Sequence, residues 1–211
     1  IYDDKGRLIT TVHAEENRIP VPISQVPQNL QNAFVAAEDV RFYEHHGVDP
    51  RGILRAVFAN LTSGNATGQG GSTITQQLAR NAFLTQEQTL KRKLLEVVLA
   101  FEIESKYTKK QILEMYMNQI YFGQGCYGIQ TAAHVYFGKD VKDLSLSQCA
   151  MLAGLPNSPN YYSPFRSLEA AKYRQGIVLD QLAKYGYISA ADAQAAKAAD
   201  VHLAKQDKGK S

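Results

Sequence analysis

The first candidates for chemistry are two adjacent acidic residues, Glu38 and Asp39, in the stretch AAEDVRFYEHHG. An acidic residue on a helix is most often solvated surface, and that interpretation stays open. The valine and alanines before Glu38 favour the other interpretation, because apolar neighbours raise a carboxyl pKa toward that of a useful general base. His45 and His46 follow within two turns. Adjacent residues on a helix do not face one site, so they indicate hydrogen-bonding groups rather than metal ligands.

A third acidic residue, Glu96, ends the charged run Lys91–Glu96. Arg92 lies one turn earlier and can pair with it, which is typical of a solvated helix face. Glu96 nevertheless stands among leucines and valines, with Lys93 also one turn away. A partly buried carboxylate beside cations is a candidate for a functional site.

The stretch Gly70–Asn81 (GGSTITQQLARN) is a glycine-rich loop that turns into a helix, with Ser72 or Thr73 as the cap. Its polar face concentrates long amide and cationic side chains, namely Gln76, Gln77, Arg80 and Asn81. A helix N-terminus with free N–H groups, backed by an arginine, suits a phosphate. A capped amphipathic helix without a ligand is the alternative.

Glu114 and Asn118 share one face of a further helix because they are four residues apart. A hydrogen bond between them is the simpler interpretation, and support of a neighbouring polar site is the other. Together with the two acidic residues on separate helices, the anion-ready helix start and the clustered cations indicate sugar chemistry at a phosphate-bearing centre. One carboxylate would act as base on a hydroxyl, and cations would stabilise a departing pyrophosphate.

The elements that must position these residues are predicted to be helices, because only the segment Tyr2–Val12 reads as extended. One helix is predicted from Gln28 to Gly47, and Asp49-Pro50 opens another with Ile53 and Leu54 facing inward. The loop Ser63–Gly71 is predicted to be flexible without ligand. Later helices are indicated by the capping boxes Thr85–Gln88, Thr108–Gln111 and Ser145–Gln148 and by the alanine-rich stretches Leu168–Tyr185 and Ala190–Ala199.

One long helix after the first capping box is predicted to carry an apolar row on one side. The row consists of Leu90, Leu94, Val97, Val98 and Phe101.

The composition bounds the remaining possibilities. The 211 residues suffice for one domain, predicted over residues 1–204 with an extended segment at 1–27 and a linker or tail at 205–211. A net charge of +3 fits an anionic substrate or a membrane surface and is too small to indicate nucleic acid. The two cysteines have no metal-ligand spacing and either pair or remain free core residues. No apolar run spans a bilayer, and we expect an excised domain.

Five stretches resemble, in order, the motifs of the peptidoglycan glycosyltransferases of family 51, found in class A penicillin-binding proteins and monofunctional transglycosylases. The stretches are Glu38–Asp49, Gly70–Asn81, Arg92–Glu96, Lys109–Gly123 and Leu146–Phe165. Five motifs in order over about half the chain make a chance match very improbable.

The resemblance implies a mainly α, lysozyme-like fold of two lobes, a larger head and a smaller membrane-associated jaw. It implies that lipid II and a growing glycan chain are the substrates, polymerised with inversion at the anomeric carbon and release of undecaprenyl pyrophosphate. It also implies a bacterial membrane location on the extracytoplasmic face, through a preceding transmembrane helix and the jaw. A C-terminal transpeptidase domain would follow in a bifunctional parent, although this chain has no SxxK motif and no penicillin-binding activity is expected of it. Moenomycin, an inhibitor of the family, is expected on the donor side.

By motif match, Glu38 would deprotonate the acceptor 4-hydroxyl and Glu96 would act in catalysis by positioning or electrostatics. Arg80 and the cations near Lys93 would bind the pyrophosphate. The resemblance assigns the remaining substrate-binding positions to Asp39, Phe42, His45, Ser72, Thr73, Gln76, Gln77, Asn81, Arg92, Glu114 and Asn118.

The sequence departs from the family pattern at Gln88, where many members carry arginine, and at Leu95, where many carry lysine. Lys91 is available to compensate for one of these cations. No metal-ligand cluster is visible, so no cofactor is expected beyond a divalent cation, Mg²⁺ or Mn²⁺, at the pyrophosphate. A lysozyme-type glycoside hydrolase is the alternative enzyme, since two carboxylates on helices serve that chemistry too. A non-catalytic cell-wall or partner-binding module is the third possibility.

Overall fold

The structure is a computed structural model that describes residues 18–54, 71–83 and 89–205. The described part is mainly helical, as the sequence predicts. The extended stretch Tyr2–Val12 and the capping box Thr85–Gln88 fall outside the described residues, as do almost all of the loop Ser63–Gly71 and of the tail from residue 205.

Eight named helices follow one another in the described ranges, and residues 50–54 are also helical. They are α1 Gln28–Glu38, α2 Ile74–Phe83, α3 Leu90–Lys106, α4 Lys109–Gln119, α5 Ile129–Phe137, α6 Leu146–Gly154, α7 Leu168–Lys184 and α8 Ala190–Ala198. Within these ranges no helix combines the length and apolarity that a bilayer crossing requires.

The helices pack in two groups that meet at α4. In one group α1 contacts α6 and α7, and α7 contacts α8. In the other, α2 lies between α3 and α4. Edge-to-face contacts of the Phe34 ring with Tyr116 at 5.9 Å and Phe122 at 6.1 Å join α1 to α4 and the residues after it. The groove between the groups is where the C-terminal end of α1 approaches α2.

Helix α1 begins at Gln28 as predicted but ends at Glu38, nine residues before Gly47. Asp39 leaves the helical conformation (φ −158°, ψ 75°), and the chain continues in turns. The sequence pattern missed this end because the side chain of Asp39 binds groups from elsewhere in the chain, an interaction that periodicity does not encode.

Gly47 ends this turn-rich stretch in a conformation that favours glycine (φ +91°). A Cβ here would lie 3.0 Å from the carbonyl group of Ala100, so the close crossing of the chain over α3 requires glycine. In the helical stretch that follows, Ile53 and Leu54 are exposed, which corrects the prediction that both face the core.

Most of the apolar row on α3 faces outward. Leu94 is 69% exposed and Val98 60%, and Leu90 and Phe101 are exposed as well. The residues that α3 buries are Glu96, Ala100 and Ile103. The helix also begins later than predicted, with Thr89 as its cap. The apolar side of this helix therefore does not face the core.

Other local predictions are confirmed. Thr108 and Ser145 open α4 and α6 with complete capping boxes. Gly138 ends α5 in a left-handed conformation. Cys126 and Cys149 are both free and buried, which settles the question of whether they pair.

Candidate functional site

Glu38 is the last residue of α1 and points its carboxylate into the groove between the two helix groups. Its Oε2 accepts a 2.9 Å hydrogen bond from the side-chain amide of Gln77 in α2. Its Oε1 is buried and has no hydrogen-bond partner in the part of the chain described. Burial raises the pKa of Glu38, and the charge of Asp39 adds to the rise, while the Gln77 hydrogen bond, Arg174 and Arg80 oppose it. A carboxylate whose pKa is raised in this way is a stronger base than an exposed one.

Asp39, the neighbour of Glu38, has a supporting role in the structure. Both of its carboxylate oxygens lie within 3.0 Å of His45 Nε2, and Oδ2 accepts a hydrogen bond from the backbone N–H of Ile74. Asp39 and His45 are both buried. These contacts fix the turn after α1 against the start of α2. A part of Asp39 and His45 in substrate binding remains a prediction. His46 is exposed and does not contribute.

The N-terminus of α2 is closed by the protein itself. Thr73 and Gln76 form a reciprocal cap, in which each side-chain oxygen accepts from the other residue's backbone N–H at 3.1 and 3.0 Å. With the N–H of Ile74 bonded to Asp39, three N–H groups at this helix start have partners within the protein, which differs from the predicted free N-terminus. Phosphate binding there remains a prediction. Thr73 also donates to the carbonyl of Gly47 at 2.6 Å, so the cap joins α2 to the turn beneath it.

Phe42, another predicted substrate contact, has a completely buried ring, and its part in substrate binding remains a prediction. Lys109 lies 4.5 Å from the ring centroid in a cation–π arrangement and pairs with Glu104, which in turn accepts from Thr75. This network connects α2, α3 and α4 and so helps to fix the relative positions of the helices that carry the site residues.

Glu96 is fully buried on α3 and is held by two cations. Lys93 Nζ lies 2.8 Å from Oε2, and Arg92 Nε lies 3.2 Å from Oε1. The same Lys93 ammonium donates to Ser72 Oγ at 2.7 Å. The cluster Ser72–Lys93–Glu96–Arg92 therefore links the start of α2 to α3, and the predicted pairing of Arg92 with Glu96 is present.

Four predicted residues line an open cavity of about 330 Å³, here called the cationic cavity. Its lining consists of Gln77, Arg80, Asn81, Arg92, Ile120, Tyr121, Pro156 and Pro159. Two guanidinium groups with amide donors beside them suit a phosphate or pyrophosphate. The two arginines of this cavity thus lie away from the N-terminus of α2, with Arg80 in the last turn of that helix and Arg92 on α3.

A second, much smaller cavity of about 20 Å³ reaches Glu38 from the other side, with Ser72 and Thr73 in its wall. This space holds about one water-sized group, such as a hydroxyl. Glu38 therefore lies between a hydroxyl-sized space and Gln77, which belongs to the cationic cavity. A larger cavity of about 700 Å³ near residues 23–31 is lined by none of the predicted site residues.

Glu114 and Asn118 bind the leading segment of the chain. Glu114 accepts from the backbone N–H of Ile23 at 2.7 Å, and Asn118 exchanges two hydrogen bonds with the backbone of Val21. The simpler sequence-based interpretation, a bond between the two side chains, is not the arrangement that their contacts show. Their part in substrate binding remains a prediction.

Sequence reasoning missed three residues of this region. Arg174 of α7 is a buried cation whose charge lowers the pKa of Glu38. Tyr116 of α4 donates to the Gln77 side chain, and Tyr121 lines the cationic cavity. Tyr116 and Tyr121 lie inside the Lys109–Gly123 motif, which offered a signal. Arg174 lies outside all five motifs, and no sequence signal identified it.

Comparison with known proteins, by sequence and by structure, gives one consistent family. The Transglycosylase family matches residues 5–183. Penicillin-binding protein 1F of Bacillus subtilis is 46% identical over 208 residues, or 98% of this chain and 29% of that protein. Penicillin-binding protein 1A of Escherichia coli is 51% identical over 189 residues, or 90% of this chain and 22% of that protein. This chain thus spans less than a third of either relative.

The crystal structure of penicillin-binding protein 1A from Haemophilus influenzae has a related fold. It superposes with a TM-score of 0.53 at 25% sequence identity, covering 90% of this chain and 18% of that one. Sequence and fold lead to the same family, and they do not favour a lysozyme-type hydrolase. The chain belongs to the transglycosylase family and is a peptidoglycan glycosyltransferase domain of the class A penicillin-binding protein type.

Proposed function

We propose that this domain polymerises lipid II into glycan strands, with Glu38 as the general base. The observation that carries the proposal is the carboxylate of Glu38. One of its oxygens is bonded to Gln77, the other is buried without a hydrogen-bond partner among the described residues, and Glu38 lines a hydroxyl-sized space. A base needs one oxygen held and one oxygen available for the proton.

In the reaction, the 4-hydroxyl oxygen of an incoming lipid II attacks C1 of the sugar that carries the growing chain. The new C–O bond forms as the bond from C1 to the pyrophosphate oxygen breaks, and inversion at C1 follows. The hydroxyl proton goes to Glu38 Oε1, and the bonding electron pair leaves with undecaprenyl pyrophosphate. The burial that raises the pKa of Glu38 makes its carboxylate a stronger base than an exposed one.

The negative charge that develops on the leaving pyrophosphate needs cations close by. Arg80 and Arg92 in the cationic cavity supply two guanidinium groups, with the amides of Gln77 and Asn81 beside them. Glu96 would hold Arg92 in place by the ion pair between them. The replacement of a basic residue by Leu95, which is exposed on α3, increases the share of this task that falls to Arg80.

We propose that the protein holds no cofactor of its own. The described residues contain no cluster of three or more metal-ligating side chains, and both oxygens of Asp39 are engaged by His45. The donor set therefore does not suit a resident metal. A divalent cation such as Mg²⁺ or Mn²⁺ would bind through the phosphate oxygens of the substrate.

We propose that the outward apolar row of α3 is part of the membrane-associated jaw. Leu90, Leu94, Val98 and Phe101 form an exposed stripe, and such a stripe marks an interface with a membrane or a partner. A lipid surface is the proposed partner because lipid II and its pyrophosphate product are themselves membrane-bound.

A double substitution tests the membrane interface. Replacing Leu94 and Val98 by serine should weaken partition to phosphatidylcholine vesicles at least about tenfold, since each buried aliphatic side chain contributes about 1.5–3 kcal/mol. Leu168 and Tyr173 on α7 are also exposed, and their double serine variant is the matched control. Sedimentation with vesicles measures both. Equal losses in the two variants would show that α3 has no special role.

For the whole protein, we propose a C-terminal transpeptidase domain and a preceding membrane anchor, which place the activity on the extracytoplasmic face of a bacterial membrane. The support is the length of the relatives, of which this chain matches 29% and 22%. Moenomycin is the proposed inhibitor, bound in the cationic cavity. No nucleic-acid partner is proposed.

Incubation with two substrates tests the function. The chain should extend lipid II into long strands on a gel and leave finished glycan unchanged. Shortening of finished glycan would identify a hydrolase instead, and failure to alter either substrate would favour a binding module.

A further inference from the structure

Tyr116, Gln77 and Glu38 form a row of hydrogen bonds that crosses three helices. The Tyr116 hydroxyl donates to Gln77 Oε1 at 3.1 Å, and Gln77 Nε2 donates to Glu38 Oε2 at 2.9 Å. Tyr116 is completely buried on α4 and Gln77 nearly so on α2. A tyrosine that only fills the core does not need a hydrogen-bonded connection to the proposed base, and Tyr116 has one through Gln77.

The chemistry of the amide makes the row directional. An ionised carboxylate only accepts hydrogen bonds, so the NH₂ end of Gln77 must face Glu38 and its carbonyl end must face away. A buried carbonyl without a donor would be costly, and Tyr116 provides that donor. The phenol thereby stabilises the amide orientation that the carboxylate requires.

The same row accommodates a protonated base. Once Oε1 of Glu38 carries the proton, Oε2 still accepts from the amide NH₂, and the amide oxygen still accepts from Tyr116. Each polar atom of Gln77 keeps a partner in either state. A phenylalanine at position 116 would leave one end of the amide unpaired in both states.

We propose that Tyr116 is a positioning residue for glycosyl transfer. It acts through Gln77 to hold Glu38 Oε2, so that Oε1 faces the acceptor hydroxyl before and after it takes the proton. The inference rests on the proposed function of this site. No motif residue was assigned this role by sequence, and Tyr116 itself need not touch substrate.

Loss of the Tyr116 hydroxyl has a predictable electrostatic consequence. Without its donor, the amide oxygen is buried and unpaired, and the amide loses the polarisation that the phenol supplies to its bond with Glu38 Oε2. The ionised form of Glu38 depends most on that bond, so it loses stabilisation. The other groups that act on Glu38 are Arg80 of α2, Arg174 of α7 and Asp39, and they are unchanged by the substitution. The pKa of Glu38 should therefore rise further.

Tyr116→Phe in the full 211-residue chain tests the proposal. The expected result is a fall in kcat for lipid II polymerisation of about tenfold, the effect of about one hydrogen bond. KM should change little, and the acid limb of the kcat–pH profile should move to higher pH. Tyr136→Phe is the matched control, because Tyr136 is also fully buried and its hydroxyl donates to the carbonyl of Phe122 at 2.8 Å.

The control separates positioning from general stability. Both variants lose one buried hydrogen bond, so thermal unfolding should shift similarly, while only Tyr116→Phe should move the pH profile. A Gln77→Ala chain should make the further loss of the Tyr116 hydroxyl nearly silent, since the two act in series. Additive losses in that double variant, or an unmoved acid limb in Tyr116→Phe, would overturn the proposal. A wild-type chain that does not extend lipid II overturns the proposed function, and this inference with it.

Discussion

Glu38→Gln is expected to lower lipid II polymerisation by about 10²–10⁴-fold, the range that general-base catalysis contributes. Glutamine has the same shape and can still accept the hydrogen bond from Gln77, but it cannot take a proton from the acceptor hydroxyl. The loss should therefore appear in kcat with the fold intact. Strand length and amount on a gel at saturating lipid II give the measurement.

Glu44→Gln is the control for this experiment. Glu44 is an exposed carboxylate in the turn that follows α1, and its substitution removes the same charge from the same part of the chain. It should polymerise lipid II at close to the wild-type rate. Near wild-type activity in Glu38→Gln would instead remove Glu38 from the role of base.

The same substitution has an effect on stability whose sign depends on pH. The folded-state pKa of Glu38 is raised by burial, so the folded chain binds its proton more tightly than the unfolded chain does. This contribution to stability is present below the unfolded pKa and is lost as pH rises through the folded pKa. Glu38→Gln should consequently have a higher Tm than the wild type above the folded pKa, and the difference should disappear in acid. An inactive variant that is more stable at neutral pH is the expected signature of a buried base.

Arg80→Ala is expected to lower kcat for polymerisation by about 10²-fold, the effect of removing one group that stabilises developing charge. Arg80 lines the cationic cavity from α2, and its charge also lowers the pKa of Glu38. The acid limb of the rate profile should therefore move to higher pH in the variant. Steady-state rates across a pH series measure both effects.

Two further variants make the test specific. Arg80→Lys keeps the charge but loses the planar fork, so it should recover only part of the rate. Lys110→Ala removes an exposed cation that lines a different cavity and should have little effect. If Arg80→Ala and Lys110→Ala reduce the rate equally, the charge that matters is the net charge of the domain, and Arg80 has no defined place at the leaving group.

Short-range features of the fold were predictable because their causes lie within a few residues. The capping boxes at Thr108 and Ser145 and the left-handed glycine at position 138 are each set by local hydrogen bonds or by local backbone freedom. The C-terminal end of α1 was not predictable in this way, because Asp39 leaves the helix to bind His45 and the backbone of Ile74, 35 residues later.

The orientation of α3 shows a different limit. Its sequence has one apolar side and one charged side, and either can face inward when a polar partner is buried with it. Lys93 and Arg92 accompany Glu96 to the inside, which leaves Leu94 and Val98 on the surface. Periodicity identifies the two sides of a helix but does not say which of them the rest of the protein covers.

The sequence by itself determined the family, the mainly helical fold and the identity of the acidic and cationic residues, because ordered motifs and helical periodicity are written in residue type and spacing. Only the tertiary structure decided which of those residues contact one another and which of them line the cavities. It closed the N-terminus of α2 with Asp39 and Gln76, placed Arg80 in a cavity, and set Tyr116 behind Gln77 and Glu38. These are contacts between residues 35 or more positions apart or choices between competing partners for the same N–H group. Such choices depend on which surfaces the folded chain brings together, and no local pattern records them.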